Sequence, residues 1–134
     1  MKKIDDIKLI NQPCDSSCGA ACIAMITGKD VFEIIGDLPG APPFCKEDII
    51  KCLVRNNILP IFQNNIIGPY IYHDGIYLLI LKSKNKSIEL HCCVGVLNNG
   101  YLNLLDPAIK NKYSIEENWE SNVIECIRLI DCSD

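Results

Sequence analysis

Hydrophobic residues recur at helical spacing along the first half of the chain. Residues 18–27 read CGAACIAMIT, apolar on nearly every side and followed by a glycine, which predicts a buried helix that ends at that glycine. Asp30 with Glu33 three residues later is typical of a capping box and predicts a short helix through Leu38. Residues 46–56 have acidic residues in the first turn and apolar residues at helical spacing, which predicts an amphipathic helix.

The hydrophobic period shortens in the second half, where apolar runs have the length and composition of strands. Four strands are expected, at residues 75–82, 90–97, 101–106 and 123–130. Ser114 and Glu117 form another capping-box pattern, so we also expect a short helix through about Glu120, with Trp119 packed inward.

Helices followed by antiparallel strands predict an α+β fold, with N-terminal helices packed on a C-terminal antiparallel sheet. At 134 residues the chain is long enough for one domain with a substantial core. We therefore expect a single domain over residues 1–134, with a helical half at about 1–57, a sheet half at about 75–131 and a loop near 60–74.

The composition narrows the class of protein. A net charge of −4 and a pI near 5.1 provide no basic stripe for phosphates, so nucleic acid is not expected as a partner. Acidic residues follow Lys3 before an apolar segment begins, and no run is long enough to span a membrane, so neither an export signal nor a span is expected. The nine cysteines are interpreted as reduced, because several lie in apolar runs and the core needs no disulfides. These features favour the cytoplasm.

Cys18 opens the first predicted helix, and three polar residues elsewhere could support it as a nucleophile. A thiolate at a helix N-terminus is stabilised by the helix dipole and by a nearby imidazolium. His91 could supply the imidazole and Asp106 the carboxylate that orients it. Gln12 could donate an amide hydrogen bond to the negative oxygen of an acyl-transfer intermediate. The set predicts thiol-dependent acyl transfer.

A predicted hairpin provides a geometric test of the pairing between His91 and Asp106. The Asn-Gly pair at residues 99–100 favours a two-residue type I′ turn, which fixes the register of the flanking strands. In that register the two side chains are diagonal neighbours on one face, with Cα atoms about 7–8 Å apart. A three-residue loop would send them to opposite faces, so the pairing depends on the turn.

With these residues identified, the chain resembles the papain-like cysteine peptidases of the C39 type, which trim double-glycine leader peptides in bacteriocin exporters. The resemblance rests on Gln12, Cys18-Gly19-Ala20-Ala21, His91-Cys92-Cys93-Val94-Gly95-Val96 and Asp106-Pro107-Ala108. It implies a papain-like fold in which Cys18 attacks and His91 is the base. It also implies that Asp106 orients His91 and that Gln12 helps to form the oxyanion hole. No cofactor or metal is expected.

Two departures from the family pattern leave the substrate open. Ser17 precedes the nucleophile, where family members commonly have an aspartate, and no part of these 134 residues is expected to correspond to the membrane and ATPase segments of the exporters. We expect cleavage of a peptide or protein amide bond through an acyl-enzyme on Cys18. A glutamine deamidase or acyltransferase, acting as a bacterial toxin or effector delivered into another cell, is an alternative. So is a catalytically silent binding domain. An inhibitor or delivery protein could be a partner.

The other cysteines and the second histidine receive structural interpretations. Buried structural roles are expected for Cys22, Cys45, Cys52, Cys92, Cys93, Cys126 and Cys132. His73, beside Asp74 in a polar loop, is expected on the solvated surface. A zinc site is a further alternative, with ligands drawn from Cys14, Cys18, Cys22 and His91-Cys92-Cys93, although the paired cysteine knuckles of structural zinc sites are missing.

Overall fold

The structure is a computed structural model that describes residues 1–14, 16–63, 71, 73–82, 90–108 and 122–133. Within these ranges the helices are α1 (Cys18–Thr27), α2 (Val31–Asp37) and α3 (Lys46–Arg55). The strands are β1 (Ile58–Phe62), β2 (Gly75–Lys82), β3 (Leu90–Asn98), β4 (Tyr101–Leu105) and β5 (Val123–Asp131). A short 3-10 turn, Ile4–Asp6, precedes α1.

The helix ends follow the capping chemistry expected from the sequence. The amide of Gly28, which has a φ of 80°, bonds back to the Ala24 carbonyl and closes α1. The Asp30 carboxylate accepts hydrogen bonds from the amides of Phe32 and Glu33 at 3.1 and 3.3 Å, so it caps the start of α2. The three helices and the four predicted strands are thus confirmed, with bounds that shift by a residue or so.

The described strands form one antiparallel sheet in the order β1-β5-β2-β3-β4. The last strand therefore lies inside the sheet, between the first two. Helix α1 packs against β3 and against both other helices, and α3 packs against β1. The α+β prediction, with helices packed on an antiparallel sheet, is confirmed.

Strand β1 corrects the expectation of a loop that begins near residue 60. Ile58–Phe62 pairs with β5, and Pro60 lies opposite Leu129. Proline is tolerated because β1 is the edge strand, where one side of the backbone makes no ladder hydrogen bonds. The predicted helix from Ser114 to Glu120, including Trp119, lies outside the described residues.

The core continues on both faces of the central strands. One cluster joins the helices to side chains such as Leu78, Val94 and Ile127, and a second cluster on the other face contains Tyr77 and Cys93. Burial on both faces explains why β2 and β3 read as continuous apolar runs rather than as alternating patterns. These two paired strands form the buried centre of the fold.

Small residues bring the start of α1 close to its neighbours. Every residue from Cys18 to Ile26 is buried. A Cβ atom placed on Gly19 would overlap the Cδ1 atom of Ile49 on α3. The glycine therefore lets α1 and α3 approach at the point where Cys18 begins the helix.

The β3–β4 hairpin has the turn that the sequence predicts. Asn99 and Gly100 both have positive φ values, 52° and 85°, as a type I′ turn requires. Asn98 pairs with Tyr101, and the same register continues to Val94 opposite Leu105. The register expected from the Asn-Gly pair is thus confirmed.

Among the described residues, none of the helices has both the length and the apolarity needed to cross a bilayer.

Replacing Gly100 by alanine should lower the free energy of unfolding by about 1 kcal/mol, because a Cβ atom is strained at this φ value while no neighbouring atom would obstruct it. Gly36→Ala on α2 is the matched control, since that site is equally open but helical. It should be neutral or stabilising by up to about 1 kcal/mol. Urea denaturation of both variants makes the comparison, and equal effects would contradict the turn assignment.

Candidate active site

Cys18 is the first residue of α1 and is almost fully buried, with 7% of its surface exposed. Its remaining exposure opens on a small, mainly apolar cavity that also borders Phe44, Ile49, Leu90 and Cys92. Cys18 therefore borders a small cavity between α1, α3 and the start of β3.

The N-terminus of α1 is left open to a ligand or a substrate. Ser17 occupies the N-cap position, but its hydroxyl makes no capping bond to the helix. It turns back to Cys14, accepting from that amide at 3.1 Å and donating to that carbonyl at 3.0 Å. The first turn of α1 also has no acidic residue. The positive end of the helix dipole and the first amides of α1, which have no capping side chain among the described residues, thus act on Cys18 without a competing carboxylate from that turn.

His91 and Asp106 meet as the hairpin register requires. His91 Nε2 lies 2.7 Å from Asp106 Oδ1, and both side chains are largely buried. The same carboxylate oxygen accepts the amide of Ala108 at 2.9 Å, which fixes its position in the turn after β4. Because Nε2 is engaged by Asp106, Nδ1 is the ring nitrogen that remains for the contact with Cys18. The three side chains form a continuous series.

The contacts among these three side chains change the pKa values of His91 and Cys18. Burial by itself would lower the pKa of His91. The hydrogen bonds to Asp106 and Cys18 and the charges of both groups outweigh burial, and they raise the pKa of His91 to about 9. The pKa of Cys18 is held well below its usual value. A hydrogen bond from Cys92 is the largest cause, burial opposes it, and His91 adds a hydrogen bond and a positive charge. The arrangement favours a thiolate–imidazolium pair at neutral pH.

Gln12 is fully buried beside the same turn. Its backbone amide donates to the carbonyl of Pro107 at 2.8 Å, which ties the segment before α1 to the residue after Asp106. Its side-chain Nε2 donates to the Cys14 carbonyl at 2.8 Å. Its Oε1 atom is buried and has no hydrogen-bond partner among the described residues. The side-chain amide of Gln12 is thus held in one orientation, and the second N–H of Nε2 is available to donate another hydrogen bond.

Two expectations about the cysteines are wrong. Cys45 and Cys132 are exposed rather than buried, whereas the other five assigned to the interior are buried. The zinc alternative would need Cys14, Cys18 and Cys22 on one helix face, and this face does not form. Cys14 lies before the helix and is exposed, while Cys22 is completely buried. No group of three potential metal ligands occurs in the described parts of the chain.

Of the two histidines, the structure brings only His91 to the thiol. His73 is exposed, as expected from its polar loop. The feature that the sequence analysis missed is the position of Cys92 beside Cys18, since both residues border the same cavity. A thiol directly after the predicted base was the available signal, but a cysteine within an apolar run predicted only a buried structural role for it.

Comparisons with known proteins agree with this fold. The sequence matches no protein-family model and no curated protein. The structure is similar to the peptidase domain of Streptococcus ComA, a bi-functional ABC transporter involved in a quorum sensing pathway, with a TM-score of 0.72 and 17% identity over 93% of this chain and 98% of that one. It is also similar to a double glycine motif protease from an AMS/PCAT transporter, solved in complex with the leader peptide, with a TM-score of 0.61 and 17% identity over 91% and 89% of the two chains. At this identity the likeness establishes the fold.

The proton on His91 can be followed directly, because the chain contains only two histidines. In a His73→Gln background the single remaining imidazole should titrate near pH 9 by NMR. Asp106→Asn removes both a hydrogen bond and a negative charge that favour the imidazolium, so the pKa of His91 should fall. Cys18→Ala should lower it as well. An unchanged titration in both variants would contradict the electrostatic coupling.

Proposed function

We propose that the protein is a cysteine peptidase that cleaves a peptide or protein amide bond through an acyl-enzyme on Cys18. The proposal is supported most by one observation, the continuous contact of Cys18, His91 and Asp106 at the open N-terminus of a helix. A nucleophile, a base and a group that orients the base are the parts that acyl transfer requires.

In the first chemical step the Cys18 thiolate attacks the substrate carbonyl carbon, and negative charge develops on the carbonyl oxygen. Two donors are available for this charge: the backbone N–H of Cys18 at the uncapped start of α1, and the second N–H of the Gln12 amide. The bond from Gln12 to Cys14 would orient the amide before substrate arrives, so no reorganisation is needed during the reaction.

His91 then acts as the proton donor. It carries its proton in the resting state, because its pKa is raised to about 9, and it transfers this proton to the leaving amine as the tetrahedral intermediate collapses. Asp106 holds the ring in place through Nε2 and stabilises the imidazolium. Neutral His91 can next remove a proton from water, which hydrolyses the thioester and returns Cys18 to the thiolate.

A peptide substrate is favoured by the similarity to domains that act on peptides. One of the structural neighbours is a double glycine motif protease bound to its leader peptide. We therefore infer that this chain also binds an extended peptide segment at the Cys18 cleft, and we take leader peptides that end in two glycines as the first candidates. The cavity beside Cys18 is narrow and mainly apolar, which suits a backbone with small or apolar side chains near the cleaved bond.

Cleavage can be tested before the natural substrate is identified. The full chain and a Cys18→Ala control are incubated with a proteome and with synthetic double-glycine leader peptides, and new N-termini are labelled and identified. The proposal expects new termini only with the wild-type protein. Conversion of a glutamine side chain to glutamate without new termini would instead identify a deamidase. Modification of no candidate, despite a reactive Cys18, would favour a binding domain.

Substitutions should separate the roles of the site residues. Cys18→Ala and His91→Ala should lower kcat/KM by on the order of 10⁴-fold or more, because each removes a group that takes part in bond making. Gln12→Ala should cost about 10²–10³ in kcat, as expected for one oxyanion donor. His73→Ala is the matched histidine control on the exposed surface and should leave turnover unchanged. Equal losses for the two histidine variants would refute the assignment of the base.

The dependence of kcat/KM on pH should be bell-shaped. On the acidic limb, activity rises as Cys18 loses its proton. Because the pKa of this thiol is lowered, the acidic limb should lie at a lower pH than the titration of an ordinary cysteine. Activity falls again near pH 9, where His91 loses the proton that the leaving amine needs. In Asp106→Asn the alkaline limb should move to lower pH, since the negative charge that supports the imidazolium is gone. Stopped assays across the pH range test both limbs, and an alkaline limb that stays in place would contradict the role of Asp106.

A further inference from the structure

We propose that Ser17 is a positioning residue of the active site, which holds the side-chain amide of Gln12 in place through the backbone of Cys14. The inference rests on the proposed function, in which Gln12 donates a hydrogen bond to the negative oxygen that develops during attack. Ser17 has no exposed surface and therefore acts through its neighbours rather than on the substrate.

The carbonyl oxygen of Cys14 is the point at which Ser17 and Gln12 meet. It accepts a hydrogen bond from the Ser17 hydroxyl at 3.0 Å and one from Gln12 Nε2 at 2.8 Å. The backbone amide of Ser17 also donates to this oxygen, at 3.3 Å. Because a carbonyl oxygen can only accept, the N–H side of the Gln12 amide must face it. The position of this one carbonyl therefore sets the orientation of the Gln12 amide.

Within the described residues, the Gln12 side chain has no second hydrogen-bonded anchor. Its Oε1 atom makes no hydrogen bond, so the amide is held at the Nε2 end alone. The bond from the Gln12 backbone amide to the Pro107 carbonyl, at 2.8 Å, fixes the main chain but not the side-chain torsions. Movement of the Cys14 carbonyl would therefore carry the Gln12 amide with it or release it.

The Ser17 hydroxyl fixes both backbone groups of Cys14. It accepts a hydrogen bond from the Cys14 amide at 3.1 Å and donates one to the Cys14 carbonyl at 3.0 Å. A hydroxyl is suited to this pair of bonds because it is a donor and an acceptor at once. Cys14 is itself exposed, so packing in the core does not hold it. Without the hydroxyl, two of the bonds that fix the Cys14 backbone are lost.

Ser17 also begins the helix of the nucleophile. Its carbonyl accepts the amide of Ala21 at 3.1 Å, and the next residue is Cys18. Serine is among the preferred N-cap residues, but this hydroxyl makes no capping bond to the helix. The side chain holds Cys14 instead. One buried residue thus links the start of α1, and with it the thiol, to the anchor of the Gln12 amide.

Loss of the hydroxyl should lower kcat and leave KM nearly unchanged, because the oxyanion interaction is made in the transition state. Ser17→Ala is expected to lower kcat by about tenfold, less than the loss of about 10²–10³ for a missing donor, since the Gln12 amide is still present. In a Gln12→Ala background the same substitution should have no further effect, because no amide is left to position. Two residues that acted independently would instead give effects that multiply.

The position of the Gln12 amide can be followed in the full chain without any substrate. The chain contains two glutamines, Gln12 and Gln63, so selective isotope labelling of glutamine side-chain nitrogen gives two amide signals in NMR. In Ser17→Ala the Gln12 protons should shift and should exchange with water about tenfold faster, because the bond to Cys14 opens more often. The Gln63 signal is the internal reference and should stay in place.

Alkylation by iodoacetamide separates an effect on Gln12 from an effect on the thiol. In this reaction the Cys18 sulfur displaces iodide from a carbon atom, and no negative carbonyl oxygen forms. The rate of Cys18 alkylation as a function of pH should therefore be the same in Ser17→Ala and in wild type. The tryptic peptide 9–29 contains Cys18, and the exposed Cys132 is the reference.

Two further variants control for the loss of a hydroxyl and for the change in side-chain volume. Thr27→Val removes a hydroxyl at the other end of α1, which donates to the Ile23 carbonyl at 2.8 Å and accepts from the Lys29 amide at 3.2 Å. It should leave kcat, the Gln12 signal and alkylation unchanged. Ser17→Cys keeps most of the volume but replaces the hydroxyl by a weakly hydrogen-bonding thiol, so it should resemble Ser17→Ala.

The proposal is overturned if the Gln12 signal of Ser17→Ala or Ser17→Cys, folded as judged by circular dichroism, superimposes on that of wild type. It is equally overturned if Ser17→Ala lowers kcat as much in the Gln12→Ala background as in wild type. Alkylation of Cys18 that slows to the same extent as turnover would also overturn it. Failure of the proposed function has a different outcome, because the Gln12 signal would then depend on Ser17 while the wild-type protein cleaves no peptide.

Discussion

The hydrogen bond between His91 and Asp106 depends on the backbone conformation of two residues at the far end of a hairpin. Asn99 and Gly100 adopt positive φ values, and this turn sets the register between β3 and β4. A slip of one residue would move every side chain of β4 to the other face and would leave His91 without its carboxylate. Because β3 is also paired along its length with β2, whose inner residues are all buried, His91 is carried by a strand at the centre of the core.

A second constraint is the close approach of α1, which brings Cys18 to the start of β3. Glycine at position 19 allows this packing, and the N-cap side chain of Ser17 is turned away from the helix. The thiol is therefore buried but still faces helix amides and an imidazole. In a medium of low polarity these interactions are stronger than they would be in water, and they depend on one another. Loss of any one member should change the proton affinity of the others.

The sequence predicted those parts of the structure that local chemistry determines. Helices α1 to α3, the type I′ turn and the meeting of His91 with Asp106 follow from periodicity, capping residues and an Asn-Gly pair. Strand β1 escaped prediction because its partner, β5, lies some seventy residues later and a proline suggested a loop. The exposure of Cys45 and Cys132 could not be inferred from residue type, since free cysteine is usually buried. The placement of Cys92 and Cys18 at one cavity depends on how a helix docks on a strand, which the sequence pattern of either element cannot reveal.

The buried polar cluster is itself an argument for a functional interpretation. Oε1 of Gln12 and Oδ2 of Asp106 are buried without a hydrogen-bond partner within the described residues, and a group in this state typically costs about 1–3 kcal/mol. Replacing buried polar or ionic groups by apolar residues of similar size is often neutral or stabilising. If these groups served only to hold the fold together, the imidazole of His91, the carboxylate of Asp106 and the low-pKa thiol of Cys18 would add little to its stability. The same cluster is well suited to move a proton and to stabilise a negative oxygen, which supports catalysis as its purpose.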